Sequence, residues 1–142
     1  MIRITGDPVD GPAELRRFLS AAGEGAVATF IGTVRGKGGV ETLTLDHYAG
    51  FTEKEIAAAV DRLVKDFELS AATVVHRHGA MQPGDTILFA ATAAPHRRAA
   101  LDALDRLVDE LKIRAPFWKK EVRGGAEHWL EPPPIPPAEN RA

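Results

Sequence analysis

The sequence predicts an α+β domain built around a mostly antiparallel sheet. Three observations predict it. A capping box leads into a long stretch with helical spacing at 52–67. Strand-like runs come in pairs separated by short glycine-containing turns. The resulting order, αββαββαββ, does not alternate strictly as a parallel α/β fold would.

The first helix is expected after Asp10, a suitable N-cap, with Pro12 near the first helical position and Leu15, Phe18, Leu19 and Ala22 on one apolar stripe; Gly23 and Gly25 stop it. Residues 26–35 are apolar and β-branched, which predicts a largely buried strand. A glycine-rich loop, Gly36-Lys37-Gly38-Gly39, follows. Residues 42–47 then alternate polar with apolar, as a half-buried strand does. Thr52 and Glu55 have capping-box spacing, and Ile56, Val60, Leu63, Val64 and Phe67 continue at helical intervals. Two strands, 72–78 and 86–93, flank the turn Gln82-Pro83-Gly84-Asp85. The third helix starts near Pro95, presents Leu101, Leu104, Val108 and Leu111 on one face, and ends before Pro116, because the residue preceding proline is pushed out of the α region. Residues 117–123 and 127–131 close the domain as a hairpin around Gly124-Gly125. Pro132-Pro133-Pro134-Ile135-Pro136-Pro137 suits neither helix nor sheet interior, so 1–131 is expected as the domain and 132–142 as a proline-rich tail.

With 142 residues, 44% of them hydrophobic and 27% charged, the chain has the makeup of one globular domain. No apolar stretch approaches a membrane span and the N-terminus lacks a signal-peptide core, so a cytoplasmic location is expected. The absence of cysteine excludes disulfides, thiolate metal sites and any chemistry with sulfur carried on this chain's own Cys. A net charge of −2 gives no general attraction to nucleic acid, so an anion site must be a local cluster.

Two such clusters stand out. The run from Lys112 to Arg123 places Lys112, Arg114, Lys119, Lys120 and Arg123 against one carboxylate, Glu121. Crowded cations repel one another unless an anion or carboxylate offsets them, and the crowding lowers a lysine pKa toward the range of proton transfer. On a strand, Lys119 and Lys120 point to opposite faces, so at most one shares a face with Trp118. A solvated basic strand is the plain alternative. The second cluster, Pro95-His96-Arg97-Arg98, puts cations where a helix begins; a bound phosphate or carboxylate would satisfy both the open amides and the charges, and extension into water is again the alternative. Arg35 ends a buried strand beside the glycine loop, where sites are often built. His76 and His78 lie two apart on a strand, but nothing supplies a third ligand at metal-site spacing, so neither a metal nor another cofactor is expected.

In order along the chain, these segments resemble the large subunit of molybdopterin synthase. The matching stretches run from Gly25 to Arg35, through Leu45-Asp46-His47-Tyr48 into Thr52-Glu53-Lys54-Glu55, then His76-Arg77-His78-Gly79, Pro83-Gly84-Asp85, His96-Arg97, and Leu111-Lys112 to Ala115-Pro116-Phe117-Trp118-Lys119-Lys120-Glu121. The resemblance implies an α/β-hammerhead fold and a homodimer within a heterotetramer. It implies a small ubiquitin-like partner subunit whose Gly-Gly C-terminus carries a thiocarboxylate. Sulfur would pass from that tail to cyclic pyranopterin monophosphate, which fits a chain without cysteine. The family's two catalytic lysines fall on Lys119 and Lys112, and its substrate-binding basic residues on Arg35, His96 and Arg97; Phe30 and Trp118 fall on pocket wall and core. Relatives can carry a basic residue beyond position 131 that reaches the neighbouring subunit, where this chain has Pro132, Pro133 and Pro134.

Two rival classes make different demands. A non-catalytic module that only binds a Gly-Gly tail needs the tail pocket and no phosphate cluster. A nucleic-acid-binding domain needs a wider basic face than this charge balance provides.

Overall fold

The computed structural model describes residues 1–23, 25–115 and 117–130; the expected tail at 132–142 lies outside them. The chain runs β1 (Ile2–Thr5), α1 (Gly11–Ala22), β2 (Ala26–Thr33), β3 (Val40–His47), α2 (Phe51–Asp66), β4 (Ala71–Arg77), β5 (Gly79–Met81), β6 (Thr86–Ala94), α3 (Arg97–Arg114), β7 (Phe117–Arg123) and β8 (Ala126–Leu130). The strands form two sheets, ordered β1-β4-β6-β2 and β5-β3-β7-β8. Only β1 and β4 pair in parallel among the described strands, so the α+β, mostly antiparallel expectation holds.

The first sheet is covered on both faces. Along β6, Leu88, Ala90 and Ala94 join the core under α2 and α3, while Phe89, Ala91 and Ala93 join the core with Phe18 and Ala22 of α1. Alternate side chains of one strand thus enter two different cores, and for that reason 88–94 is buried without a break and apolar but for Thr92. The alanines let helices approach closely. Thr92 faces α3 and satisfies its hydroxyl on Ala100 O at 2.7 Å.

Several local expectations are corrected. Two strands, β1 and β5, have no counterpart in the sequence reading: with four and three residues, they are held by pairing with β4 and β3 rather than by any local periodicity. The α2 cap is Gly50, not Thr52. Glu53 accepts from the Gly50 amide, whereas the buried Thr52 hydroxyl accepts from Tyr48 N at 3.1 Å, so the helix starts two residues earlier than the Thr52/Glu55 spacing suggested and is closed from the Glu53 side alone. Leu19 and Leu101 are about half exposed, while Glu14, Ala100, Ala103 and Leu107 are buried. Glu14 can be inside because Arg3 and Arg17 reach its carboxylate at 2.5 and 3.2 Å. No helix among the described residues is long and apolar enough to cross a membrane.

Candidate active site

β7 sorts the basic run by strand geometry. Phe117, Lys119 and Glu121 point inward from the second sheet with Leu43 and Leu45 of β3 and Leu130 of β8. Trp118 and Lys120 point outward: Trp118 packs against Tyr48 with ring centroids 5.7 Å apart, and the Lys120 ammonium sits 5.1 Å over the Trp129 ring. Trp118 is 38% exposed, so it is neither pocket wall nor core as the resemblance implied. Phe30 does line the pocket.

The inward residues wall a cavity of about 740 Å³ between the two sheets and the last turn of α3. Arg35, Lys112 and Lys119 line it together, each delivered by a different element. Arg35 follows β2, where Val34 is clamped to the 82–85 turn by Val34 N to Asp85 O and Gly84 N to Val34 O, both at 2.9 Å. That turn closes on itself through Gln82 N to the Asp85 carboxylate at 2.9 Å. Lys112 is in the last turn of α3, beside buried Leu111 and Ala115. Lys119 stands opposite Leu45.

Ion pairing separates the cations further. Arg114 reaches Glu110 at 3.2 Å, Lys120 reaches Glu127 at 3.5 Å, and Arg123 grips Glu121 at 2.6 Å. Among the described residues, no carboxylate lies within ion-pair distance of Arg35, Lys112 or Lys119. Three cations without carboxylate partners around one concave space form a locally positive site on a chain of net charge −2. An anionic ligand would offset their mutual repulsion.

His96 and Arg97 are not among the residues lining this cavity. They start α3, whose last turn carries Lys112, so at a rise of about 1.5 Å per residue they lie roughly 22 Å away along the axis. His96 is the N-cap in extended conformation, its side chain caps nothing, and the first turn holds no acidic residue. Gly25 fixes the approach to this end: at φ +126° it lies so close to β6 that an added Cβ would sit 2.5 Å from Ala94 O.

The sequence reading passed over two cavity residues. From the sequence Glu121 stands out as a counter-charge alone, and His76 as part of a matching stretch and a metal-ligand candidate without a third ligand. No metal-holding group is found among the described residues. His76 instead lies flat on Phe117, and its Nδ1 is 3.0 Å from Arg77 O. Burial pushes the His76 pKa down from 6.5 to about 4; the bond to Arg77 O opposes this, and the charges of Lys119 and His47 add to it. A polar residue inside the apolar run Val74-Val75-His76 was the available signal.

A family model described as MoaE protein matches residues 4–114. The chain belongs to the MoaE family. Over 131 residues this MoaE chain is 43% identical to the molybdopterin synthase catalytic subunit of Cereibacter sphaeroides, covering 91% of the chain and 90% of that relative. Among solved structures, it matches the molybdopterin biosynthesis MoaE protein of Burkholderia ambifaria at a TM-score of 0.80 and 36% identity, covering 92% of this chain and 88% of the other. It matches a chain of molybdopterin synthase from Staphylococcus aureus at 0.81 and 30%, covering 91% and 96%. These likenesses extend over both sheets, so the cavity lies within the shared fold.

Proposed function

We propose that this chain is the catalytic subunit of a molybdopterin synthase, transferring sulfur from the thiocarboxylated C-terminus of a small ubiquitin-like subunit to cyclic pyranopterin monophosphate. The single observation that carries the site assignment is the convergence of Arg35, Lys112 and Lys119, without carboxylate partners, on one cavity. A module that merely held a Gly-Gly tail would have no use for such a cluster. A catalytic subunit, the term given to the Cereibacter relative, also implies a second subunit.

In this reading Arg35 contacts the cyclic phosphate, since a guanidinium suits phosphate geometry. Lys119, on the cavity-facing side of β7, stabilises the charge that develops as sulfur leaves the tail carbonyl and assists proton transfer. Lys112, at the cavity rim from α3, orients the pterin or assists opening of the cyclic phosphate. The reaction takes place in the cytoplasm and needs no metal or other cofactor.

His96 and Arg97 serve the same anionic substrate from a second copy of the chain. One chain alone holds them too far from Lys112; in this reading a homodimer within a heterotetramer supplies a neighbour's helix start to the cavity. Complementation tests this. Lys119→Ala and Arg97→Ala chains are each inactive, and mixing them to form hybrid dimers restores dithiolene formation, because one of the two sites is then intact. No recovery from hybrids shown to have formed would place Arg97 in its own chain's site or outside the site altogether.

A further inference from the structure

The cavity is lined by the cations Arg35, Lys112 and Lys119, by Glu121, which Arg123 holds, and by one imidazole, His76. Its Nδ1 faces a carbonyl oxygen, which can only accept, so the proton of the ring is on Nδ1 and Nε2 carries a lone pair. Among the described residues Nε2 makes no hydrogen bond, yet His76 lines the cavity and is only 8% exposed. The stack on Phe117, with planes 16° apart, fixes the orientation of the ring. Nε2 is not among the buried atoms left without a partner, which among the described residues are His47 Nδ1 and Arg77 Nε, so its lone pair is accessible to a ligand in the cavity that His76 lines.

We propose that His76 is a specificity-determining residue whose Nε2 accepts a hydrogen bond from an N–H donor on the pterin ring of the substrate. The inference rests on the functional reading above and deepens it. Arg35, Lys112 and Lys119 recognise negative charge and would hold any phosphate ester of suitable size. A neutral acceptor among them selects for a ligand whose ring edge offers a donor, which is the chemistry of a reduced pterin. The charged and titratable groups that act on the imidazole are Lys119 from β7 and His47 from β3, while Glu121, Arg35 and Lys112 line the same cavity. The imidazole does not act as a base: with a pKa near 4 it is a weak proton acceptor and is uncharged at neutral pH.

The test compares the wild-type protein with His76→Phe and His76→Gln by titration with cyclic pyranopterin monophosphate and, separately, with the small subunit. His76→Phe keeps the stack on Phe117 and lowers precursor affinity roughly tenfold, the effect of one lost hydrogen bond, while small-subunit affinity stays unchanged. His76→Gln, which retains an acceptor, recovers most of the loss. In ¹⁵N-histidine-labelled wild-type protein, the Nε2 resonance begins as a lone-pair nitrogen and moves on precursor addition, a response that needs no variant to fold. Equal precursor affinity in wild type and His76→Phe, an unmoved Nε2 resonance at saturation, or an equal loss of small-subunit binding overturns the assignment. Wild-type protein that binds the small subunit but no precursor overturns the functional reading and this inference with it.

Discussion

The imidazole of His76 lies on the ring of Phe117 with centroids 4.0 Å apart, a pairing of β4 in the first sheet with β7 in the second. Its burial makes stability depend on pH. The unfolded chain protonates this group near 6.5 and the folded chain only near 4, so between those values the unfolded state binds more protons and stability falls as pH falls. From pH 7.5 to pH 5 the loss from this group is about 2 kcal/mol. Urea unfolding at both values measures it. The wild type loses about that much more than His76→Gln over the interval, and identical pH slopes would contradict the burial argument.

The outward cations are expected to matter little. Lys120 is tied to Glu127 and Trp129, and Arg114 to Glu110, all on partly exposed surface. Lys120→Ala and Arg114→Ala each leave the rate of dithiolene formation within about threefold of wild type, and change stability by under about 1 kcal/mol. A hundredfold loss in either would show that the sorting by strand face and ion pairing is wrong.

Three cations without carboxylate partners in one cavity should also respond to simple anions. Phosphate at about ten times its dissociation constant stabilises the fold by about 1.4 kcal/mol, or roughly 5 °C in the melting temperature of a domain this size. Differential scanning fluorimetry reads the shift directly. Arg35→Ala removes most of the increase while leaving the melting temperature without phosphate nearly unchanged, since Arg35 is exposed. An undiminished shift in Arg35→Ala would move the anion site elsewhere, with the α3 start at His96 and Arg97 the next place to look.

The core assignments separate two leucines of α3. Leu107 is fully buried between α3 and the first sheet, so Leu107→Ala costs about 2–5 kcal/mol. Leu101 is 57% exposed, and Leu101→Ala costs under about 0.5 kcal/mol in the isolated chain. Chemical denaturation at one pH distinguishes them, and equal losses would contradict the packing described.

What could be read from the sequence follows from which interactions are local. The span of α3, the 82–85 turn and the β7–β8 hairpin were legible, because proline, glycine and periodicity act within a few residues. Which helix face is buried was less legible: Leu101 and Leu107 have the same side chain, and only the position of the sheet decides between them. β1 escaped because its strand character comes from pairing with residues 74–77, far along the chain. At the site, Arg35, Lys112 and Lys119 were named from charge and resemblance, and their convergence on one cavity needed both sheets to be in place. His76 could not be weighed properly from spacing alone: whether a strand histidine is metal ligand, core residue or acceptor depends on what faces each nitrogen.

The central claim is that Lys119 does chemistry. The most direct measurement is the initial rate of dithiolene formation when the full chain is reconstituted with thiocarboxylated small subunit and cyclic pyranopterin monophosphate, both saturating. Lys119→Ala is expected to fold with wild-type stability, bind both partners, and turn over at least about a hundredfold more slowly, as loss of a charge-stabilising group at a reacting carbonyl does. A Lys119→Ala rate within a few-fold of wild type under the same conditions would contradict the account.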